Sequence, residues 1–335
     1  MHLTTCLVLL TAALTTWCLC VAGLVTFAGV AEAQDEAPAA GVEVRQSDGA
    51  VEVLIRGELF TRYVFEGYAK PFCWPLIGPT GKPVTRAYPM AQIEGEATDH
   101  VHQKSMWFTF GEVNGIDFWT EGEGRGRQVH RGFEILESGP LFGVIRARND
   151  WLGPDGAKVC EDVRELRVYN AGDPRVMDFD ITIIASEGPV TFGDTKEGMF
   201  GVRVAQTMTV DAGQGHIVNS RGERDREAWG KAAEWCDYYG PVDGEVVGIA
   251  IMDHPQNLRH PTYWHVRTYG LFAPNPFGLS YFIGEGRDGS YILPAGESLT
   301  FRYRILLHRG PTEQAGIPEA YGDYVRLPAA PPSAP

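Results

Sequence analysis

The segment Asp99–Phe108 concentrates side chains that can transfer protons or bind metal ions. Asp99, His100, His102 and Lys104 fall within six residues, and an aromatic run follows them directly. If the segment is extended, the two histidines and Lys104 share one face, because alternate residues of a strand point the same way. Two imidazoles on one face can move a substrate proton, or bind a transition metal together with a third ligand. The structural alternative is a pair of hydrogen-bonded surface histidines.

A second polar cluster spans residues 253–270 and follows a predicted apolar strand. The prolines after His254 and His260 restrict those two histidines to extended backbone, as in a rigid loop over a cleft. His265, Arg267 and Tyr269 alternate along the chain, so we expect them on one face of a strand. There, the arginine guanidinium and the tyrosine ring are suited to bind a sugar. The alternative is a loop packed by its own side chains. The candidate binding residues here are His254, Asn257, His265, Arg267 and Tyr269.

A third cluster, at residues 194–203, contains Lys196 and Glu197 next to each other and Arg203 further on. In a cleft, such a pair supplies a base and a counter-cation. On an open surface, it is a solvated ion pair of little energetic value. The sequence leaves both interpretations open. We expect the imidazoles of the first two clusters to meet at one concave site.

Short strands must position these clusters, because period-2 patterns and turn signals dominate the chain. Asn114-Gly115 and Asp48-Gly49 are hairpin signals, since tight turns need residues that tolerate positive φ. Helical signal is limited to Arg226–Trp235 and Glu313–Tyr324. The sequence therefore predicts an all-β fold, a large antiparallel β-sandwich with few short helices. Strands are predicted at residues 42–44, 51–53, 59–65, 107–110, 116–119, 143–148, 163–169, 176–184, 201–210, 246–252, 279–284 and 299–308.

The 335-residue chain, 44% hydrophobic, is long enough to bury one large core. No Pro-, Gly- or Ser-rich linker interrupts residues 41–326, which we expect to form a single domain. Residues 327–335 are rich in proline and are predicted to be disordered.

Residues 1–33 resemble a signal peptide, with an apolar stretch followed by Ala31-Glu32-Ala33, and residues 34–40 form an acidic, Ala-rich linker. We expect export to the periplasm or the outside of the cell. The alternative is an uncleaved N-terminal anchor, because the apolar run is long enough to span a bilayer.

Charge and cysteine content exclude several classes of protein. The formal net charge is −14 with scattered basic residues, which disfavours nucleic acid and anionic membranes as partners. After the leader, Cys73, Cys160 and Cys236 remain, without the spacing of a structural zinc or iron–sulfur site. We expect buried free thiols; the alternative is one disulfide with one thiol left over.

The three clusters resemble motifs of the bacterial PmoA family, which has no established activity. The family pattern includes Asp-His-Pro-His-His-Arg-Gly-Leu-Trp-Phe, Lys-Glu-Gly and Trp-His-x-Arg, and the similarity covers residues 42–310. This chain departs from the pattern at Val101, Gln103, Lys104 and Ser105, where the family has Pro, His, Arg and Gly. A role that needs an imidazole at position 103 is therefore in doubt, whereas His100 and His102 remain.

The strand-rich pattern and the closing run Phe301–Gly310 are also similar to galactose-mutarotase-like supersandwiches, which host epimerases, glycoside hydrolase domains and polysaccharide lyases. The leading hypothesis is an exported carbohydrate-active enzyme using His/Glu acid–base chemistry, as an epimerase, lyase or glycoside-cleaving enzyme. The candidate catalytic residues are His100, His102, Lys196, Glu197 and His265. The candidate substrate-binding residues are Asp99, Trp107, Arg203, His254, Asn257, Arg267 and Tyr269.

Two other classes of function are open. A non-catalytic carbohydrate-binding protein needs the aromatic and arginine side chains but not the titratable pair. A metal-dependent oxidoreductase needs a bound metal. The sequence identifies no cofactor; a divalent metal is the one that its candidate ligands His100, His102 and His254 would hold.

Overall fold

The period-2 patterns form strands as predicted, and the computed structural model describes residues 41–326. The predicted signal peptide (1–33), linker (34–40) and Pro-rich tail (327–335) lie outside these residues. The helices are α1 (Leu279–Ile283) and α2 (Ile317–Arg326), with 3-10 turns at Gln206–Met208, Val210–Ala212 and Asp225–Ala228. The strands are β1 (Val42–Ser47), β2 (Ala50–Ile55), β3 (Glu58–Val64), β4 (Phe72–Cys73), β5 (Met106–Phe110), β6 (Arg127–Glu137), β7 (Phe142–Leu152), β8 (Lys158–Tyr169), β9 (Arg175–Ile184), β10 (Val190–Phe192), β11 (Gly198–Arg203), β12 (His216–Asn219), β13 (Trp235–Val242), β14 (Glu245–Asp253), β15 (Tyr263–Val266), β16 (Leu271–Asn275), β17 (Tyr291–Leu293) and β18 (Ser298–Arg309).

Two eight-stranded antiparallel sheets account for most of the strands. The first sheet has the order β1-β2-β3-β4-β5-β11-β16-β15, and the second has the order β12-β13-β14-β18-β9-β8-β7-β6. A short pair, β10 with β17, stands apart from both. The prediction of a large antiparallel β-sandwich with few short helices is confirmed.

The two sheets pack face to face through a shared aromatic and aliphatic core. Phe200 of the first sheet stacks on Tyr303 of the second at 5.0 Å between ring centroids, and it contacts Phe179 at 5.1 Å. Burying such a side chain completely contributes about 1.5–3 kcal/mol. The central strands of the two sheets are therefore held at fixed positions relative to each other.

The outer face of the first sheet carries a second aromatic layer, in which Trp107, Trp119, Leu271 and Ala273 are buried. Trp107 lies across Gly201, its partner on the neighbouring strand. A Cβ at position 201 would be only 2.5 Å from the indole ring, so the ring needs glycine there. On the second sheet, the outer face is covered in part by α2, which buries Ile317 and Tyr324 against Trp235, Met252 and Leu306.

The Asn114-Gly115 turn forms as predicted, with φ values of 51° and 77° at its two central residues. The strand predicted at residues 116–119 does not follow it. The Asp117 carboxylate instead accepts hydrogen bonds from the backbone N–H groups of Trp119 (2.8 Å) and Thr120 (3.0 Å). Such a local bond competes with strand pairing, so the chain turns and delivers Trp119 to the outer face of the sheet.

Four further predictions of secondary structure were wrong in detail. Residues 279–284 form the short helix α1 rather than a strand, because a brief apolar run does not distinguish the two by periodicity. The strand predicted over residues 201–210 ends at Arg203 and gives way to 3-10 turns. The helix expected over residues 226–235 is one 3-10 turn, and the C-terminal helix is shifted to Ile317–Arg326.

Cys73, Cys160 and Cys236 are free and buried, as expected, so the alternative of a disulfide among them was wrong. Burial raises the pKa of each thiol. Within residues 41–326, none of the helices has the length and apolar character needed to cross a bilayer.

Candidate functional site

The outer face of the first sheet presents polar side chains from several neighbouring strands. His265 of β15 lies between Trp264 and Val266, which both point into the core, so its ring points outward. Arg203 of β11 follows Val202 of the core in the same way. Strand alternation therefore places chemistry-bearing side chains on the side of the sheet that faces away from the second sheet.

A cavity of about 460 Å³ lies over this face. Residues from all three polar clusters of the sequence line it. Seven of the predicted site residues take part: His100, His102, Lys196, Glu197, His265, Arg267 and Tyr269. Gln103, Trp119 and Thr120 complete the lining and were not among the predicted site residues.

The segment from Asp99 to Lys104 turns instead of extending, which corrects the prediction of one shared face. His100 has a φ of 44°, and the backbone N–H of Gln103 donates to the carbonyl of His100 at 2.9 Å. Lys104 consequently points away, donating to the carbonyl of Val101 (2.9 Å) and pairing with Glu121. The two histidine rings still meet, with centroids 5.7 Å apart in an edge-to-face arrangement.

Arg86 holds this turn in place from below. Its side chain is fully buried, and it donates to the carbonyls of Ala97 (3.1 Å), His100 (3.1 Å) and Gln103 (3.4 Å). It also pairs with Asp99 at 2.6 Å. Four acceptors on one planar guanidinium fix the backbone that carries both histidines. Sequence reasoning missed Arg86, because it lies far from the cluster along the chain and in no motif.

His100, Tyr269 and Arg203 form a stack at one wall. The imidazole of His100 is parallel to the Tyr269 ring at 5.2 Å with an interplanar angle of 8°. Arg203 lies over the Tyr269 ring at 4.5 Å and pairs with Asp99 at 3.1 Å. Partial burial raises the pKa of Asp99, but Arg203, His100 and Arg86 outweigh it and hold that pKa below its usual value.

Two of the imidazoles that line the cavity, those of His102 and His265, are uncharged at neutral pH. Burial lowers the pKa of His102 to about 4, with help from the positive charges of Lys70 and His100. Burial likewise lowers the pKa of His265 to about 3, together with the charges of Lys196 and Arg267. At neutral pH each ring is therefore able to accept a proton rather than donate one.

Glu197 adds a carboxylate to the same cavity. It pairs with Lys196, and about a third of each side chain is exposed. The backbone of Glu197 is fixed, since its carbonyl accepts from the N–H of Gly111 at 2.7 Å. A side chain at position 111 would collide with Glu197, at 2.7 Å between the two Cβ atoms. Lys196 and Glu197 therefore form a partly exposed ion pair at the edge of the cavity.

A buried lysine–glutamate–lysine group lies behind Trp119. Glu121 pairs with Lys70 (2.6 Å) and Lys104, and Lys70 also donates to the carbonyl of Trp119 at 3.3 Å. Burial lowers the pKa of Lys70 to about 8, a shift that Glu121 opposes and Lys104 reinforces. Burial raises the pKa of Glu121, but the two lysines outweigh it and lower that pKa. No sequence motif marked this group.

Three predicted substrate-binding residues support the lining instead of forming it. Trp107 is 1% exposed and packs behind Trp119, with ring centroids 5.3 Å apart. Asp99 and Arg203 hold His100 and Tyr269, as described above. Their contacts with the lining make them positioning residues.

His254 and Asn257, also predicted to bind substrate, do not line this cavity. The Asn257 amide donates to Asp253 (2.7 Å) and to the carbonyl of Arg302 (2.8 Å), and accepts from the Arg302 N–H (2.8 Å). His254 is mostly buried and packs against Tyr324 at 5.3 Å. The Asn257 amide thus hydrogen-bonds to the backbone of β18. This part of the second cluster therefore stabilises the fold and does not line the cavity.

His100, His102 and His254 were the candidate ligands of a metal ion. His254 does not join the other two, because it lies outside the cavity that they line. Among the described residues there is no group of three or more His, Cys, Asp or Glu side chains arranged to hold a metal ion.

Other cavities lie in the described part of the chain. One of about 420 Å³ adjoins the candidate site, sharing Arg267 and Tyr269 with it and adding Asp211, Arg226 and Trp229. Another, of about 490 Å³, is lined mainly by apolar groups such as Trp74, Pro75 and Ile93. The histidine-lined cavity combines neutral imidazoles with a carboxylate, which neither of these two does.

Residues 50–322 match the model of a family of unknown function, DUF6807, and the chain belongs to this family. The match does not support the PmoA family predicted from the sequence motifs. No curated protein matches the chain.

Several solved structures are similar to this chain at low sequence identity. An α-galactosidase from Lactobacillus brevis is 10% identical with a TM-score of 0.40, over 80% of this chain and 39% of that one. A galactose mutarotase-like protein from Lactobacillus casei is 8% identical with a TM-score of 0.40, over 80% and 100% of the two chains. A putative aldose 1-epimerase from Escherichia coli K12 is 10% identical with a TM-score of 0.33, over 80% and 99%.

This chain spans about two fifths of the length of the α-galactosidases that it matches. The galactose-mutarotase-like type of sandwich that the sequence predicted is found among these structures. The activities in their names belong to those proteins.

Proposed function

We propose that this protein is a carbohydrate-active enzyme of the acid–base type, in which His102 takes a proton from a sugar or glycoside. One observation carries the proposal: His102, His265 and Glu197 line the same cavity. Three groups that can accept protons in one concave site are typical of catalysis by proton transfer.

Of these three groups, we assign the role of the base to His102. Its pKa of about 4, lowered by burial and by nearby positive charge, leaves the ring unprotonated at neutral pH. Its ring contacts are with His100 and Trp119, and within residues 41–326 no carboxylate pairs with it. His265 is more deeply buried, so it serves as a second, positioned acceptor. Lys196 holds Glu197 at the edge of the cavity, where the carboxylate can orient a hydroxyl group.

The cavity suits a polar ring-shaped ligand. Its volume of about 460 Å³ is within the range of small-molecule sites. The His100 ring, whose side chain is partly exposed, lines the cavity and offers an aromatic surface to a sugar ring. Trp119 Nε1 and His265 Nδ1, on two residues that line the cavity, are buried without a hydrogen-bond partner among the described residues. Such groups are uncommon, and two on one cavity support a ligand that supplies partners.

The test is a turnover assay in D2O with a panel of sugars and glycosides, read by mass spectrometry. Epimerisation that removes and returns a carbon-bound proton incorporates solvent deuterium, whereas elimination and glycoside cleavage are read from the masses of their products. We expect His102→Ala to reduce turnover at least about 100-fold, as for loss of a general base.

The matched control is His216→Ala, which removes an exposed histidine from β12, away from the cavity. Turnover unchanged by His102→Ala removes that residue from the reaction. Sugar binding without product in the unmodified protein identifies a carbohydrate-binding protein instead.

We also propose that the protein is exported, with residues 1–33 as the signal peptide. The support is the apolar stretch ending in Ala31-Glu32-Ala33. Mass spectrometry of the protein from the periplasm or the medium tests this. We expect a mature N-terminus at Gln34; a cytoplasmic protein that retains residues 1–33 contradicts the proposal.

A further inference from the structure

Three groups of charged side chains lie at or behind the cavity wall, and in two of them two cations share one carboxylate. In the first group, Arg86 and Arg203 both bind Oδ1 of Asp99, at 2.6 and 3.1 Å. Both guanidinium groups are buried, whereas Asp99 is partly exposed. One positive charge in this group therefore has no carboxylate of its own.

The second group lies on the other side of the histidine turn. Lys70 and Lys104 share Glu121, and both ammonium groups are almost completely buried. They contact the backbone of the cavity wall through the carbonyls of Trp119 and Val101. This group again has one positive charge in excess.

The third group is at the cavity edge. Lys196 pairs with Glu197, while Arg267 lies over the Tyr269 ring at 5.8 Å and pairs with no carboxylate in the described part of the chain. Arg267 is exposed, so its fork is open to a ligand in the cavity. The nearby Asp117, which binds Trp119 and Thr120, is balanced by Arg125 at 3.1 Å.

The three groups together contain six cationic side chains and three carboxylates, of which Lys196, Arg267 and Glu197 line the cavity and the others lie behind its wall. The local excess is three positive charges, in a chain whose formal net charge is −14. Keeping like charges together in a partly desolvated site costs free energy unless a counter-ion completes it. The lowered pKa of Arg203, about 10, follows from burial and from the charge of Arg86.

We propose that the sugar bound in this cavity carries a carboxylate, as in a hexuronic acid, and that Arg267 binds that carboxylate. This inference rests on the proposed function, because it assumes a sugar ligand. A planar guanidinium matches a carboxylate with two parallel hydrogen bonds, which a neutral hydroxymethyl group cannot reproduce. His100 and Tyr269 line the cavity beside Arg267 and limit where the sugar ring can lie.

The experiment compares matched ligands that differ only in this group. Calorimetry on the full chain measures the binding of methyl galacturonoside against methyl galactoside, and of methyl glucuronoside against methyl glucoside, with acetate as a simple anion. We expect one uronoside to bind at least about tenfold more tightly than its neutral partner, as for a gained charge-assisted bond.

Arg267→Met, which removes the charge and keeps the length, is expected to abolish that preference. The control is Arg221→Met, since Arg221 is exposed and pairs with Glu234 outside the cavity. Equal or tighter binding of the neutral sugars overturns the inference and leaves the proposed function standing. Binding of acetate as tightly as the uronosides also overturns it. A preference that survives Arg267→Met refutes the role of Arg267.

Discussion

Gly201 lies directly opposite Trp107 across two antiparallel strands, and the Trp107 indole occupies the space that a side chain at position 201 would fill. Trp119, which lines the cavity, packs on that indole at 5.3 Å. The floor of the candidate site therefore depends on the absence of one side chain in β11.

Replacing this glycine tests the dependence. We expect Gly201→Ala to lower the free energy of unfolding by about 1–3 kcal/mol, because the buried indole must shift out of a packed layer. Urea denaturation measures the loss, and near-ultraviolet circular dichroism reports the tryptophan environment. Gly132→Ala is the control, since a Cβ there meets nothing within 4 Å. Equal stability of the two variants contradicts the prediction.

Two of the three imidazoles that line the cavity, those of His102 and His265, are expected to titrate far below ordinary histidines. Protons should bind His102 near pH 4 and His265 near pH 3, because burial and nearby cations disfavour the charged rings. NMR titration of the imidazole resonances measures both values. Lys196→Met should raise the pKa of His265, since Lys196 lowers it, while the remote control Lys82→Met should not. A titration of both rings near pH 6.5 contradicts this account.

Catalysis, once a substrate is available, should follow the same titration. A base with a depressed pKa is fully active above that pKa and loses activity as the pH falls through it. The acidic limb of the pH profile should accordingly lie near pH 4, the pKa of His102. A limb near pH 6.5 assigns the base to another group.

Arg86 is expected to control the order of the histidine turn. Arg86→Met removes the donor to three backbone carbonyls and to Asp99, so we expect a loss of about 2–4 kcal/mol in stability. Hydrogen exchange at the Gln103 amide should accelerate, because that N–H bonds within the turn. Arg86→Lys should recover only part of the loss, since an ammonium lacks the planar fork. Unchanged exchange at Gln103 refutes the role of Arg86.

The buried pair of His308 and Asp237 should make stability depend on pH. Burial lowers the pKa of His308, but the Asp237 carboxylate 2.9 Å away outweighs it and raises that pKa above 6.5. The native state then binds the proton more tightly than the unfolded chain, so the contribution is complete below pH 6.5 and disappears as the pH rises through the native pKa.

His308→Gln should thus cost about 1–3 kcal/mol at pH 5.5 and less at pH 8.5. Denaturation across this range measures the difference, with the exposed His216→Gln as control. A cost that grows with pH reverses the sign and refutes the assignment.

The sequence identified the residues that meet at the cavity where chemistry and local pattern agreed. His265 and Arg267 were expected beside His100 and His102 because imidazole, guanidinium and aromatic types clustered in both segments. Strand alternation also predicted that residues of one parity share a face, as His265 does between Trp264 and Val266. Local periodicity is sufficient for such assignments.

The remaining contacts depend on tertiary structure that local patterns do not encode. Arg86 and Lys70 are single cations in irregular segments, and their partners Asp99 and Glu121 come from elsewhere in the chain. The turn at His100 requires a positive φ, and the neighbouring residues do not predict it. Asn257 was predicted to bind substrate because its amide offers both a donor and an acceptor. The same two groups hydrogen-bond to the backbone of Arg302 instead.

The two sheets have different tasks. Every residue that lines the candidate cavity comes from the first sheet or from the loops next to its strands β5, β11, β15 and β16. The second sheet contributes none of them. Substitutions on its outer face are therefore expected to change the free energy of folding without altering the lining of the cavity.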